Sequence, residues 1–144
     1  MQVFEVMTPD VIVIEADTPL AEAARKMKLL DVGPLPVVEG ERMVGMVTDR
    51  DITVRATAEG LDPEQVQVRE VMTAEVVACR DTDDVQDAAR TMQLAQLRRL
   101  VVVDENGRLV GIVSLGDIAL QAGDDKLTGE TLEGVSEPGE KPVS

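Results

Sequence analysis

The chain has 144 residues with 14 basic and 28 acidic side chains, and its formal net charge of −14 disfavours binding to nucleic acid. It contains no His, Trp or Tyr, one Phe and one Cys, which excludes imidazole chemistry, aromatic base-stacking platforms, an internal disulfide and a cysteine-based metal site. The hydrophobic content of 44% is therefore almost entirely aliphatic, and it is sufficient for a packed core.

The N-terminus shows no targeting signal. It reads Met-Gln-Val-Phe-Glu and lacks the basic start and the long apolar stretch of a signal peptide. No apolar run elsewhere approaches the length of a membrane span. Because a single thiol also suits a reducing compartment, we expect a cytoplasmic protein without a membrane partner.

The first half of the chain predicts the element order β-α-β-β-α. Thr18 followed by Pro19 indicates an N-cap with proline at the first helical position. Gly33 with Pro34 indicates where that helix ends. The predicted elements are a strand at 11–14, a helix at 20–30, strands at 35–38 and 43–47 around Gly40, and a helix that opens at Thr48.

The second half of the chain repeats the first. Residues 5–8, Glu-Val-Met-Thr, return as residues 70–73, and residues 44–48, Val-Gly-Met-Val-Thr, return as residues 110–114, Val-Gly-Ile-Val-Ser. The same order of elements is therefore predicted twice. In the second copy these are a strand at 76–79, a helix with an apolar face from Asp83 to Met92, strands at 100–103 and 109–113 around Asn106-Gly107, and a helix that opens at Ser114.

Two such repeats predict an α/β (α+β) fold with two domains. We place the first domain at residues 1–58 and the second at 68–122, with a polar linker at 59–67. Each repeat alone is near the lower size limit for independent stability, so we expect the two sheets to pack together. Residues 123–144 are rich in Gly, Glu, Ser and Pro and predict a flexible acidic tail.

These repeats resemble the CBS domain, a regulatory unit that usually occurs as a tandem pair. The matching segments of the first copy are 6–9 (Val-Met-Thr-Pro), 35–38 (Leu-Pro-Val-Val) and 45–51 (Gly-Met-Val-Thr-Asp-Arg-Asp), and those of the second are 71–73, 100–104 and 111–117. The resemblance extends over residues 3–122, and the organisation is similar to that of small proteins consisting only of a CBS pair. Residues 98–117 also resemble a nucleotide-binding repeat of the γ subunit of AMP-activated protein kinase.

The resemblance implies a regulatory protein rather than an enzyme. CBS pairs have two clefts where their sheets meet, and the typical ligands of the family are AMP, ADP, ATP and S-adenosylmethionine. The family also implies a homodimer, which would pass a change of shape to a regulated protein that the sequence does not identify. We therefore expect a sensor of the adenylate pool with no obligatory cofactor and no metal.

The motif residues suit a nucleotide chemically. A glycine near a strand end lets a ligand approach the backbone closely. A hydroxyl at the start of the next helix lies beside free amide groups and the positive end of the helix dipole, where a phosphate is stabilised. A carboxylate three residues later is one turn onward and can accept both hydroxyls of a ribose. Thr48 with Asp51, and Ser114 with Asp117, have this spacing.

By the family resemblance, each cleft takes residues from both repeats. In one cleft Asp117 holds the ribose, while Ser114 and Arg99 bind the phosphate. Val32 and Ile112 enclose the base. This ligand site comprises Thr8, Val13, Val32, Gly33, Arg99, Ile112, Ser114 and Asp117, and a second possible site comprises Thr73, Ala78, Leu97, Arg98, Met46, Thr48 and Asp51.

We prefer the Asp117 site, because Pro34 stands in the second site where the first has Arg99. Simpler interpretations stay open, since a hydroxyl and a carboxylate at this spacing also form a helix cap.

Cys79 is expected to be a buried apolar residue, because no histidine exists to activate it. A ligand-free dimeric scaffold is the alternative function. An enzyme such as a nucleotide hydrolase is disfavoured, because no nucleophile–base pair can be assembled.

Overall fold

A computed structural model of the chain describes residues 1–122, so the tail predicted at 123–144 lies outside the described residues. The described chain forms two units. Unit 2 consists of Ile12–Val76, and unit 1 combines Met1–Val11 with the described residues from Val77 onward. No helix within residues 1–122 is long and apolar enough to cross a membrane.

Unit 2 has the predicted element order. Its elements are β1 (Ile14–Glu15), α1 (Leu20–Leu30), β2 (Leu35–Glu39), β3 (Arg42–Val47) and α2 (Asp49–Ile52), and α2 continues into a π-helical segment, Thr53–Thr57. β1 is parallel to β2, and β2 is antiparallel to β3. The hairpin turns at Gly40, whose φ of 67° is a left-handed value that glycine adopts without steric strain.

Unit 1 repeats this topology. A short 3₁₀ turn, Val3–Glu5, precedes β4 (Ala78–Arg80), α3 (Val85–Ala95), β5 (Arg99–Val103), β6 (Leu109–Ser114) and α4 (Leu115–Ala122). β4 is parallel to β5, and β5 is antiparallel to β6. The predicted mixed fold with two β-α-β-β-α repeats is thus confirmed. β1 and β4 begin later than the predicted strands at 11–14 and 76–79, because only Ile14 and Ala78 onward pair with the neighbouring strand.

The helix ends differ from the predicted ones. Thr18 was expected as the N-cap of α1, but Pro19 holds that position with ψ of 145°, and no side chain caps the helix there. The end predicted at Gly33 is too late, because Asp31 terminates α1 in the left-handed conformation with φ of 54°. Its amide group donates to carbonyl groups of the last turn, which leaves fewer of them without a partner. Gln96 terminates α3 in the same way with φ of 55°.

Each unit has its own aliphatic core. In unit 2 the buried residues are Ile14, Ala16, Leu20, Ala23, Met27, Leu35, Val37, Val47, Ala56, Val68 and Val71. In unit 1 they are Val3, Val6, Cys79, Val85, Ala88, Ala89, Met92, Leu100, Val102, Val113, Leu115 and Ile118. Both cores therefore contain a pair of valines from outside the contiguous repeat.

Those valines belong to segments that cross between the sequence repeats. In unit 2 the Val68 amide donates to the Thr18 carbonyl at 2.8 Å, and the Leu20 amide donates to the Val66 carbonyl at 2.9 Å. In unit 1 the Val3 amide donates to the Asp83 carbonyl at 2.8 Å. The segment expected to be a linker, 59–67, is consequently bonded to the start of α1. Each unit is completed by the segment that precedes the other repeat's first strand.

Candidate functional site

The predicted residues of unit 1 meet where the N-terminal segment pairs with β6. The Thr8 amide donates to the Ile112 carbonyl at 2.8 Å, and the Ile112 amide donates to the Thr8 carbonyl at 2.9 Å. Ser114 follows two residues later at the end of β6, and Asp117 lies in the first turn of α4. The fold therefore brings Thr8, Ile112, Ser114 and Asp117 into one neighbourhood.

Gly111 makes this pairing possible. A Cβ atom at this position would lie 2.6 Å from the Sδ atom of Met7 and 2.9 Å from the carbonyl oxygen of Thr8. The sequence predicts that the glycine lets a ligand come close to the backbone. In the structure it is the N-terminal segment, at Met7 and Thr8, that comes close. The glycine thus positions Thr8 beside the start of α4.

Ser114 and Asp117 bind each other reciprocally. The Ser114 amide donates to Oδ2 of Asp117 at 3.1 Å, and the Asp117 amide donates to Oγ of Ser114 at 3.0 Å. This is the geometry of a capping box, so the simpler interpretation of the pair as a cap is confirmed. The cap uses only one carboxylate oxygen of the half-buried Asp117. Within residues 1–122 the other oxygen, Oδ1, has no hydrogen-bond or ion-pair partner, so capping and ligand binding are compatible.

Arg99 begins β5 and is the strand partner of Ser114. Its side chain is exposed and forms no hydrogen bond or ion pair with the described residues. Arg98 is half-buried, and its carbonyl accepts a hydrogen bond from the Leu115 amide at 3.0 Å. A positive charge is thus available on the strand next to Ser114, where an anion would need it.

Unit 2 contains an equivalent cluster from the second predicted site. The Met46 amide donates to the Thr73 carbonyl at 2.9 Å, and the Thr73 amide returns the bond at 2.8 Å. Thr48 and Asp51 form the same capping box, with distances of 2.9 and 3.1 Å. Gly45 permits the close pairing, because a Cβ there would lie 2.8 Å from the Thr73 carbonyl oxygen.

The remaining predicted residues are divided between the units. Val13, Val32 and Gly33 of the first set lie in unit 2, and Ala78, Leu97 and Arg98 of the second set lie in unit 1. Val32 also lines a cleft of 330 Å³ beside α1 and α2. None of the capping-box residues of unit 2 lines this cleft.

Sequence reasoning missed two cations of unit 2. Arg55 approaches Asp51, with 3.9 Å between its Nε and the carboxylate Oδ1. Its Nη1 donates to the Val71 carbonyl at 3.3 Å and to the Met72 carbonyl at 3.4 Å. The spacing of four residues between Asp51 and Arg55 is the signal that could have found this contact. Lys26 donates from Nζ to the Val13 carbonyl, and no sequence pattern indicates that bond.

The single thiol lies in the core of unit 1. Cys79 is 6% exposed, as the sequence predicts. Burial, followed by the nearby charge of Asp83, raises the pKa of Cys79 to about 11. Within residues 1–122, no group of three or more Cys, Asp or Glu side chains is arranged to hold a metal ion.

Comparisons with known proteins give a consistent result. The family model for the CBS domain matches residues 3–56 and again residues 68–122. CBS domain-containing protein YhcV of Bacillus subtilis is 42% identical over 132 residues, which cover 92% of this chain and 93% of that protein.

Solved structures of tandem CBS pairs share the fold. Hypoxic Response Protein I, solved with two coordinated zinc ions, has a TM-score of 0.73 and 33% identity, covering 83% of this chain and 98% of that one. CBSX2, solved in complex with AMP, has a TM-score of 0.69 and 28% identity, covering 84% of this chain and 95% of that one.

Proposed function

The chain belongs to the CBS-domain family as a tandem pair of repeats, and from this premise we propose that it binds an adenine nucleotide at Asp117 and acts as a regulatory module. The observation that carries the proposal is the carboxylate of Asp117. Reciprocal bonds with Ser114 fix its orientation, while Oδ1 has no partner among the described residues. An oriented carboxylate oxygen is a suitable acceptor for ribose hydroxyl groups. The AMP complex of CBSX2 supports the choice of ligand.

The other residues of unit 1 have separate parts in the proposal. Arg99 supplies a positive charge for the phosphate, and the hydroxyl hydrogen of Ser114 is free to donate to it, because its oxygen is the acceptor in the cap. Thr8 and Ile112 form the adjoining backbone. Val13, Val32 and Gly33 lie in unit 2, and their contact with a ligand stays a prediction.

The proposed ligands are AMP, ADP and ATP, with S-adenosylmethionine as a further adenosyl compound. Binding would favour one conformation of the chain, and a regulated protein would respond to that conformation. No catalytic step is proposed, since the chain lacks histidine and its single thiol is buried with a raised pKa. We also propose that the module is a cytoplasmic homodimer, as its family resemblance suggests.

Isothermal titration with AMP, ADP, ATP and S-adenosylmethionine tests this function, after a check that no nucleotide co-purifies. We expect saturable binding of at least one ligand and its loss in Asp117→Ala. Asp84→Ala is the matched control, because Asp84 caps α3 through a bond of 2.8 Å to the Gln86 amide and belongs to neither predicted site. Both substitutions remove a cap, but only Asp117→Ala should prevent binding. Equal binding by the two variants would show that the site is wrong.

A ligand-free dimeric scaffold is a second candidate, and exposed leucines favour it. Leu29 in α1 is 84% exposed, and its repeat equivalent Leu94 in α3 is 82% exposed. Leu120 in α4 is 81% exposed. Each repeat thus exposes a large apolar side chain at the same helix position, which a second chain could cover. If none of the four ligands binds to folded protein, this scaffold function is the one to pursue.

A further inference from the structure

We infer that Arg55 closes the Asp51 site of unit 2 to nucleotides, so that each chain binds one nucleotide, at Asp117. The inference rests on the proposed function, because it explains how two clusters with the same capping geometry come to differ in ligand binding.

The first support is the set of contacts that Arg55 makes. Its guanidinium lies 3.9 Å from Oδ1 of Asp51, the carboxylate oxygen that the capping box leaves unused. The same group donates to the carbonyls of Val71 and Met72, which directly precede Thr73 of the cluster. Arg55 therefore connects the carboxylate to the segment that leads into Thr73.

Burial makes the contact with Asp51 effective. The side chain of Asp51 is 14% exposed, whereas that of Arg55 is 54% exposed. A largely buried carboxylate is poorly solvated, so a nearby cation stabilises it more than it would at an open surface. Ribose hydroxyl groups that bind Oδ1 of Asp51 therefore compete with this cation, and if they displace it the Val71 and Met72 carbonyls lose a donor.

The equivalent sequence position in the second repeat is not a cation. Gln121 occupies the position four residues after Asp117, where Arg55 follows Asp51. The local helix differs as well. Residues Thr53–Thr57 around Arg55 form a π-helical segment, whereas α4 remains α-helical over Leu115–Ala122. A π-helical turn changes the direction of the side chains it carries and is often found at functional positions.

The stoichiometry of AMP binding tests the inference. AMP is the suitable probe, because it has the fewest phosphates among the nucleotides and depends least on the arginine that Pro34 replaces in this cluster. We expect one AMP per wild-type chain and two per Arg55→Gln chain. Arg50→Gln is the matched control, because it removes the same charge from a side chain that makes no hydrogen bond or ion pair with the described residues. The double variant Arg55→Gln/Asp51→Ala should again bind one AMP per chain, because it lacks the Asp51 carboxylate.

A reciprocal substitution covers the case in which Arg55→Gln disturbs folding. Gln121→Arg introduces the cation four residues after Asp117, and we expect AMP affinity to fall at least about tenfold. Thermal unfolding of each variant monitors the fold.

The outcomes separate the inference from the proposed function. Binding of two AMP by the wild type, unchanged stoichiometry in Arg55→Gln, or weaker binding in Arg55→Gln alone would overturn the role of Arg55. If the wild type binds no AMP and Arg55→Gln binds one, Arg55 does close the Asp51 site, but the Asp117 site and the expected stoichiometry of the wild type are wrong. If neither protein binds AMP, both are wrong.

Discussion

Cys79 illustrates how position, rather than residue type, decides reactivity. The thiolate is the form that attacks a disulfide reagent, and the pKa of Cys79 is raised to about 11, mainly by burial and then by the charge of Asp83. At pH 8 we expect the native protein to react with a chromogenic disulfide reagent about a hundredfold more slowly than the urea-unfolded protein. Equal rates for the two forms would show that the thiol is accessible.

The same shift has a consequence for stability. Because the folded-state pKa of Cys79 lies above its ordinary value of 9.0, the unfolded chain loses its thiol proton first as pH rises. The associated stabilisation is present below about pH 9 and decreases as pH approaches 11. It is therefore complete at neutral pH.

Arg99 should discriminate ligands by their phosphate count. Arg99 pairs with Ser114 in the sheet, and its exposed guanidinium forms no bond within residues 1–122, so its charge is available to an anion. We expect Arg99→Ala to weaken ATP about tenfold and AMP less, as measured by titration calorimetry. Arg90→Ala is the control, because Arg90 pairs with Asp87 on α3 at 3.3 Å. An equal loss for AMP and ATP would contradict a phosphate contact.

Among the elements, β6 and α4 each contain a glycine. A side chain would not fit at Gly111 in β6, whereas there is room for one at Gly116 in α4. A Cβ at Gly111 would lie 2.6 Å from the Sδ atom of Met7 and 2.9 Å from the Thr8 carbonyl oxygen, whereas one at Gly116 would meet nothing closer than 3.7 Å. We expect Gly111→Ala to lower the free energy of unfolding by about 1–3 kcal/mol. Gly116→Ala should raise it by about 0.5 kcal/mol, because alanine is the better helix former.

Urea unfolding of both glycine variants provides the measurement. Both substitutions add one methyl group, and the two positions are close in sequence. A general effect of the methyl group would therefore change the free energy of unfolding of both variants in the same direction. A stable Gly111→Ala variant would mean that the N-terminal segment can move away from β6. Nucleotide binding by that variant would then show whether Thr8 is needed at the site.

The elements were largely predictable, because their signals are local. Apolar residues at helical spacing placed α1 from Leu20 to Leu30, although the Gly33-Pro34 signal put its end too late, and the turn at Gly40 separated β2 from β3. The helix caps were less predictable. Thr18 has the right chemistry for an N-cap, but its carbonyl accepts from Val68 and the helix starts one residue after Pro19. The start of α1 therefore depends on a bond to the segment around Val68, which is distant in sequence.

The candidate site was predictable in part for the same reason. Ser114 and Asp117 are three residues apart, so their mutual bonds follow from helix geometry. The contacts of Arg55 with the Val71 and Met72 carbonyls depend on folding of unit 2, and no local pattern contains them. Sequence analysis could place Arg55 near Asp51, but it could not show that one guanidinium also reaches the neighbouring segment.

In the whole molecule, the units are not the sequence repeats. Val3 and Val6 are buried with the second repeat, and Val68 and Val71 are buried with the first. The motif around Met7 and Thr8 is thus structurally part of the unit that contains Asp117. Self-comparison of the sequence finds repeats that are continuous along the chain. The buried cores are not continuous in this way, because each includes two valines that precede the other repeat's first strand.

This exchange predicts which fragments fold. Residues 12–76 contain the complete core of unit 2, whereas residues 1–67 have nearly the same length but lack Val68 and Val71. Burying each valine contributes about 2 kcal/mol, which is decisive for a unit of this size. Circular dichroism and urea titration should therefore show a more stable, more helical 12–76 fragment. If 1–67 is equally stable or more stable, the sequence repeat rather than the compact unit is the part of the chain that folds.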